Sequence, residues 1–200
     1  MQHDFILLDR SGSMQSQWNE ALNAINGYVR KLAEDKVKTN VTLVVFDKEG
    51  EKASIDVIRD NVKPSKWKNV SDADATPRGL TPLNDAVGRI VSMSESKKYD
   101  KVAIIIMTDG FENASVELTV QQAKDALERC RAKGWQVIFL GANFDNAQQA
   151  ASYGNSLGST AKAVNLNAAM SATASLRSGY ASRGIAMNYT ADMRKVMGDS

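Results

Sequence analysis

Short apolar runs alternate along the chain with longer segments in which apolar residues recur every three or four positions. The short runs predict buried β-strands, and the longer segments predict amphipathic helices. Predicted strands cover residues 5–8, 41–46, 53–58, 102–107, 136–141 and 161–166. Predicted helices cover residues 15–33, 84–93, 119–133, 147–153 and 167–183.

This alternation favours an α/β fold with a doubly wound, mostly parallel central sheet and helices on both faces. A short turn, 47–50, separates the strands 41–46 and 53–58, so we expect these two to form an antiparallel hairpin. The sheet would then have one antiparallel edge strand. We expect residues 1–183 to form a single domain, which is long enough to bury a sizeable core.

Oxygen-bearing side chains follow the first predicted strand directly. Asp9, Ser11 and Ser13 come after the apolar run 5–8. Carboxylate and hydroxyl oxygens are hard donors, which suit Mg²⁺, Mn²⁺ or Ca²⁺ rather than zinc or copper. The alternative is that Asp9 only opens a turn and Ser13 only caps the following helix.

Two later segments favour the cation site over this alternative. The apolar run 102–107 also ends in a polar residue and an acid, Thr108 and Asp109. Thr81 precedes Pro82 at the predicted start of a helix, where we expect it to cap the helix and to expose its hydroxyl. Ligands of open α/β sheets bind beyond the carboxyl ends of the strands, so these residues are expected to meet there.

Asp-x-Ser-x-Ser at 9–13, Thr-Pro-Leu at 81–83 and Thr-Asp-Gly at 108–110, in this order, resemble a von Willebrand factor type A domain with an intact metal-ion-dependent adhesion site. The resemblance extends from about residue 4 to about residue 141. It departs mildly at Leu80, where the family often has a second glycine. It implies that one divalent cation, Mg²⁺ or else Mn²⁺ or Ca²⁺, is surrounded, partly through water, by Asp9, Ser11, Ser13, Thr81 and Asp109.

The function implied by the resemblance is metal-dependent protein binding, in which an Asp or Glu of a partner protein completes the shell of the cation. Phe111 and Glu112 follow Asp109, so the rim of the site is partly apolar. A second hypothesis is a cofactor or adaptor subunit of a partner AAA-type ATPase, as small intracellular family members in bacteria and their viruses sometimes are. Specificity is expected to come from the loops around Gln15, Asp47, Arg78, Phe111 and Asn143.

Two regions have no clear period. Residues 60–78 are predicted to form a long loop over the metal face, in which Trp67 either contacts a partner or folds back as a lid on the sheet. Residues 184–200 are predicted to be a partly disordered tail. The alternative for this tail is an interaction segment built on Ile185, Met187, Tyr189, Met193 and Val196.

Composition and charge exclude several partners. The formal net charge is +2 and there is no long basic stripe, so no nucleic-acid partner is expected. No apolar run of about 18 residues could cross a bilayer. Cys130 is the only cysteine, which excludes an intrachain disulfide and a cysteine zinc site, and we expect it to be packed within a helix. The absence of a basic leader predicts a cytoplasmic protein.

The sequence carries no enzyme motif. There is no phosphate-binding loop and no nucleophile elbow, and a Ser-His-Asp triad is improbable because His3 is the only histidine. The strongest enzymatic alternative is a Mg²⁺-dependent aspartyl phosphotransferase or phosphatase with Asp9 as the nucleophile. That chemistry usually needs a second acid two residues on, where this chain has Ser11. We therefore do not expect an enzyme.

Overall fold

A computed structural model describes residues 1–142 and 147–198 of the chain. Within them, six strands form one sheet in the order β3-β2-β1-β4-β5-β6. Only β3 runs antiparallel to its neighbour, which confirms the predicted hairpin at one edge. The strands are β1 Gln2–Asp9, β2 Thr39–Lys48, β3 Ala53–Val62, β4 Lys101–Thr108, β5 Gln136–Ala142 and β6 Thr160–Ala163.

Helices cover both faces of the sheet, as the pattern predicts. One face packs against α1 and α5, and the other packs against α2, α3 and α4. Cys130 is buried in the second layer, as expected for a packed helical cysteine. The helices are α1 Trp18–Glu34, α2 Leu83–Glu95, α3 Val120–Ala132, α4 Ala147–Ser152, α5 Leu166–Arg183 and α6 Ala191–Met197. None of the helices in the described ranges is long and apolar enough to span a membrane.

The strand register brings the ends of the central strands level. Asp9 of β1 pairs with Phe46 of β2, and Leu8 pairs with Met107 of β4. The residues that follow β1 and β4 therefore emerge side by side at the carboxyl edge of the sheet, which is the crevice where ligands of such sheets bind.

The segment 60–78 differs from the predicted loop. Strand β3 continues to Val62, and the residues after it contact α1 as far as Ala75. Only the end of the segment lies at the carboxyl edge of the sheet, where Arg78 N donates to the Arg10 carbonyl. Trp67 is half-buried, and its indole N–H donates to Asn26 Oδ1, which also accepts from the backbone N–H of Val70. Trp67 therefore folds back onto the domain, as one alternative predicts, but it lies against α1 and is not a lid on the sheet.

Residues 184–198 also differ from the predicted disordered tail. Met187, Tyr189 and Met197 are buried against the α5 side of the core, and α6 forms within the segment. Both Val164 N and Asn165 N, just after β6, donate to the carbonyl of Met197 at 3.1 Å. The segment packs against α5 and β6, and such contacts with distant residues leave no periodic pattern within the segment itself.

A buried ion pair connects α5 to the first strand. Arg177 Nε lies 2.6 Å from Asp4 Oδ1, and both side chains are fully buried. The other carboxylate oxygen of Asp4 accepts from the hydroxyl of Tyr28, and Thr39 donates to Oδ1. Because α5 buries an arginine on this face while Leu176 stays half-buried, its apolar periodicity is weak.

Candidate metal centre

Asp9 ends β1 and is fully buried. Its Oδ1 accepts from the backbone N–H of Ser11 at 2.7 Å, and its Oδ2 accepts from the hydroxyl of Thr108 at 2.6 Å. Burial raises the pKa of Asp9 to about 6, while the hydrogen bonds from Thr108 and Ser11 lower it and the charge of Asp109 raises it further. Asp9 thus opens the turn, as the simpler hypothesis predicts. It also borders the crevice at the carboxyl edge of the sheet.

The hydroxyls of the two serines of the motif lie together, and that of Ser13 contacts the second acid. The hydroxyls of Ser11 and Ser13 are 3.0 Å apart, and Ser13 Oγ donates to Asp109 Oδ1 at 2.7 Å. A short 3₁₀ helix starts at Gly12, and no side chain caps it. The hypothesis that Ser13 only caps a helix is therefore wrong, because its hydroxyl is bonded to Asp109 instead.

Thr81 lies on the other side of the same crevice. A Cβ placed on Gly110 would lie 3.7 Å from Ser13 Oγ and 3.9 Å from Thr81 Oγ1, so both hydroxyls border this glycine. Thr81 is only 2% exposed and does not cap α2, for which Pro82 is the cap residue. The expectation of a capping role is wrong, whereas the hydroxyl keeps some accessible surface although the residue as a whole is buried. Among the described residues, nothing hydrogen-bonds to the Thr81 hydroxyl, which leaves it available to a ligand.

The backbone that carries Thr81 is fixed to its neighbours. Lys48 and Leu80 exchange two backbone hydrogen bonds of 2.9 Å, and Gly12 N donates to the carbonyl of Gly79 at 3.1 Å. Gly79 has φ +65°, and a Cβ there would lie 2.3 Å from the Lys48 carbonyl oxygen, so only glycine fits. The leucine at position 80 is therefore compatible with a rigid approach to Thr81.

A buried carboxylate ties the two ligand-bearing loops together. Asp47 is fully buried and accepts from Arg10 Nε at 2.6 Å and from Arg78 Nε at 2.9 Å. Arg10 follows Asp9, and Arg78 lies three residues before Thr81. Arg10 also pairs with Asp56 on β3. The Asp47 side chain is buried, and the expected role of the loop around it in specificity stays a prediction. Gln15 and Phe111 are exposed, whereas Asn143 falls outside the described residues.

Two acids hold the loop after Asp109, a role that the sequence did not reveal for either of them. Asp85 is buried at the start of α2 and accepts the backbone N–H groups of Val116, Glu117 and Leu118. Glu112 accepts those of Asn84, Ala114 and Ser115. No local pattern signals this role of Asp85, because the N–H groups that it accepts belong to a loop more than 30 residues further along the chain and not to its own helix.

The donors suit a hard divalent cation. Two carboxylates and three hydroxyls converge on the crevice, and in the described ranges no group of three or more His, Cys, Asp or Glu side chains could hold a metal by itself. Oxygen-only sites with few charges match Mg²⁺ or Mn²⁺. The unfavourable charge interaction between Asp9 and Asp109 would be relieved by a cation between them.

Comparison with known proteins identifies the class of protein to which this fold and this crevice belong. Residues 5–179 match the family model of the von Willebrand factor type A domain, so the chain belongs to this family. Domains of this family are generally adhesion or interaction modules rather than enzymes. No curated protein is significantly similar to the chain in sequence.

Solved structures share the fold at low sequence identity. The pilus adhesin SpaC from Lactobacillus rhamnosus GG superposes with TM-score 0.71 at 14% identity, over 89% of this chain and 30% of that one. The vWF domain of the type V pili tip protein Mfa5 from Porphyromonas gingivalis superposes with TM-score 0.67 at 13% identity, over 92% of this chain and 97% of that one. The manganese-loaded TRAP protein of Plasmodium vivax gives 0.60 at 16% identity, over 84% and 70%. The chain thus spans about a third of SpaC and nearly all of the Mfa5 domain.

Proposed function

We propose that this chain is a protein-binding module that depends on one divalent cation, magnesium or else manganese or calcium. The cation would be held by Asp9, Ser11, Ser13, Thr81 and Asp109, and when bound it would supply a coordination position for an Asp or Glu of a partner protein. The observation that carries the proposal is the hydrogen bond of 2.7 Å from Ser13 to Asp109, which brings two motifs 96 residues apart into one crevice.

The five proposed ligands differ in charge. Asp9 and Asp109 supply the negative charge, while Ser11, Ser13 and Thr81 supply neutral oxygens. The two carboxylates only just balance the charge of a divalent cation. Because no surplus negative charge surrounds the ion, binding of a carboxylate from a partner protein is favoured. The manganese-loaded state named for the TRAP structure fits such a site, although it belongs to that protein.

The residue two positions after Asp9 argues against the phosphotransferase alternative. That chemistry usually needs a second acid there to transfer a proton, and this chain has Ser11. The Ser11 hydroxyl could hold a metal ion but adds neither charge nor proton transfer. Turnover of phosphate esters that requires Mg²⁺ and is lost in Asp9→Asn would nevertheless restore this alternative.

Calorimetric titration with Mg²⁺ and with Mn²⁺ tests the metal site. We expect one ion per chain, and no binding in the double variant Asp9→Ala/Asp109→Ala. A matched control, Asp72→Ala/Asp125→Ala, removes two exposed acids elsewhere on the surface and should bind as the parent does. Asp109→Asn alone keeps the shape of the side chain and guards against loss of binding through unfolding. Unchanged binding in both site variants would contradict the assignment.

Affinity capture from the native host, in Mg²⁺ and again in excess chelator, tests the partner. Proteins that are lost only in chelator are the candidates, and an AAA-type ATPase among them would favour the adaptor hypothesis. Replacing one partner Asp or Glu by its amide should then abolish binding. A partner that binds equally well in chelator and without any such acid would contradict the proposal.

A further inference from the structure

A small hollow opens beside the acid end of the crevice. It has a volume of about 280 Å³ and adjoins Asp109 through Phe111, two residues further along the chain. We call it the side hollow. Its lining is formed by Phe111, Glu112, Val120, Gln148, Gln149, Ser152 and Tyr153.

Most polar groups of the side hollow are already bonded within the protein. Gln149 accepts from Glu112 N and donates to the Gly110 carbonyl, and the Ser152 hydroxyl donates to the Gln149 carbonyl. The hydroxyl of Tyr153 donates to Asn84 Oδ1 at 2.5 Å. Among the polar side chains of the lining, the described contacts leave only the exposed amide of Gln148 without a hydrogen bond. The hollow therefore offers a ligand mainly apolar contact and one amide.

Two apolar side chains border the side hollow at the surface. Phe111 is 54% exposed, and Val120, the first residue of α3, is also exposed. The backbone around them is fixed, because Glu112 and Asp85 accept the N–H groups of the loop that joins Phe111 to α3. An aromatic ring held at the surface on a rigid loop presents contact area that loses little conformational entropy on binding.

We infer that the side hollow receives an apolar side chain, aromatic in the best case, that lies next to the acidic residue of the partner. The inference rests on the proposed function and names the chemistry of its partner: a carboxylate with an apolar neighbour. The side hollow, at 280 Å³, is small for a whole cofactor but accommodates one aromatic ring. Glu112 is the one acid in the lining, and both of its carboxylate oxygens accept backbone N–H groups. The hollow therefore does not require a second charged group in the partner.

Small carboxylates test the inference without a known partner. Acetate, 3-phenylpropionate and 3-phenylpropionamide are titrated into the full chain in Mg²⁺ and in chelator, with binding followed by protein NMR. We expect 3-phenylpropionate to bind at least about tenfold more tightly than acetate in Mg²⁺, the gain expected from burying most of a ring. Resonances of Phe111 and Val120 should shift with the ring but not with acetate.

Variants of exposed residues give the control. Phe111→Ser should reduce the ratio of the two affinities to near one. Val116→Ser, which changes a valine 65% exposed on the same loop but outside the hollow, should leave the ratio unchanged. Equal binding of acetate and 3-phenylpropionate, or a ratio unaffected by Phe111→Ser, would overturn the inference.

The probes also separate this inference from the proposed function. If 3-phenylpropionate and its amide bind equally well with and without Mg²⁺, and both lose binding in Phe111→Ser, the hollow takes a ring while the metal bridge fails. If acetate binds only in Mg²⁺ and the ring adds nothing, the metal bridge stands and the hollow inference is wrong. If no probe binds, the hollow inference is overturned as well.

Discussion

The hydroxyl of Thr108 donates to Asp9 Oδ2 at 2.6 Å and so links the last residues of two neighbouring parallel strands. This bond fixes one oxygen of a buried carboxylate, while Ser11 N fixes the other. The threonine of the Thr-Asp-Gly motif thereby sets the orientation of an acid nearly 100 residues earlier, and the aspartate that follows it faces the crevice.

Thr108→Val removes this hydrogen bond with little change of shape. We expect the free energy of unfolding at pH 7.5 to fall by about 1.5–3 kcal/mol, because a buried ionised oxygen loses its donor. Mg²⁺ affinity should fall too. Urea unfolding and calorimetry measure the two effects. Thr160→Val is the matched control: its buried hydroxyl has no partner within the described residues, and the substitution should cost no stability. Equal results for the two variants would contradict the role of Thr108.

Asp47→Ala should destabilise the domain by about 3–5 kcal/mol, because it leaves the guanidinium of Arg10 buried without its main partner. Asp56→Ala removes the half-exposed acid that pairs with the same arginine and should cost only about 0–1 kcal/mol. Chemical unfolding of both variants checks the difference. Similar losses would show that Asp47 does not hold the two loops.

Thr81 separates binding from folding. Thr81→Val removes the hydroxyl, and Thr81→Ser keeps it. Since this hydroxyl makes no hydrogen bond in the described parts of the chain, we expect folding to change by no more than about 1 kcal/mol in either variant. Only Thr81→Val should weaken binding of the cation and of the partner.

The same threonine tests the bridge to the partner. Once the partner is known, Thr81→Val is combined with the change of the partner's acid to its amide. Both changes break one bridge, so doing both should cost little more than doing either. Fully additive losses in this double-mutant cycle would show that the cation does not join the two proteins.

His3 should make the fold sensitive to acid. Its ring is buried between Phe5 and Tyr99, with Nε2 bonded to the Thr42 hydroxyl and Nδ1 without a partner in the described ranges. Burial lowers the pKa of His3 from 6.5 to about 4, against the opposing charges of Asp4 and Asp60, while Lys97 and Arg177 lower it further. Between these two values the unfolded chain binds the extra proton, so stability falls as the pH drops through this window.

The full effect amounts to about 3 kcal/mol, from about 1.36 kcal/mol for each unit of pKa. His3→Gln should remove this part of the acid sensitivity, while the carboxylates continue to contribute theirs. Urea unfolding of both proteins between pH 7 and pH 4 measures the difference. Parallel stability curves would contradict the assignment.

The strands and helices could be predicted because their apolar residues contact the sheet with a regular period. Each predicted strand lies within or overlaps an observed one, with observed ends usually one to three residues further out. Strand β3 is the largest underestimate, since residues 59–61 of its second half are all polar and the strand lies at the edge of the sheet. The position of the crevice follows from parallel pairing, because the carboxyl ends of parallel strands meet at one edge. The grouping of Asp9, Ser11, Ser13, Thr81 and Asp109 came from the family resemblance, and the strand order was not predicted. That these five residues hold a metal stays a prediction.

Several side-chain contacts that hold the fold and the site together could not be predicted, because they join residues that are far apart in sequence and carry no local pattern. Asp47 reads as a turn residue until Arg10 and Arg78 are seen on either side of it. Trp67 reads as exposed among polar neighbours until Asn26 is seen to accept its N–H. Arg177 has polar neighbours in a serine-rich helix, and only the structure shows that it forms a buried ion pair with Asp4.

The segment 184–198 has a consequence for self-association. It lies beyond the residues that match the family model and is bonded to residues at both ends of β6: Arg194 donates to the Thr160 carbonyl, and Met197 accepts from Val164 and Asn165. An outermost strand with unpaired backbone groups is a template on which another chain can add a strand, and covering it is a common protection against amyloid-like growth. This chain supplies its own cover at β6, whereas β3 at the opposite edge relies on charged side chains.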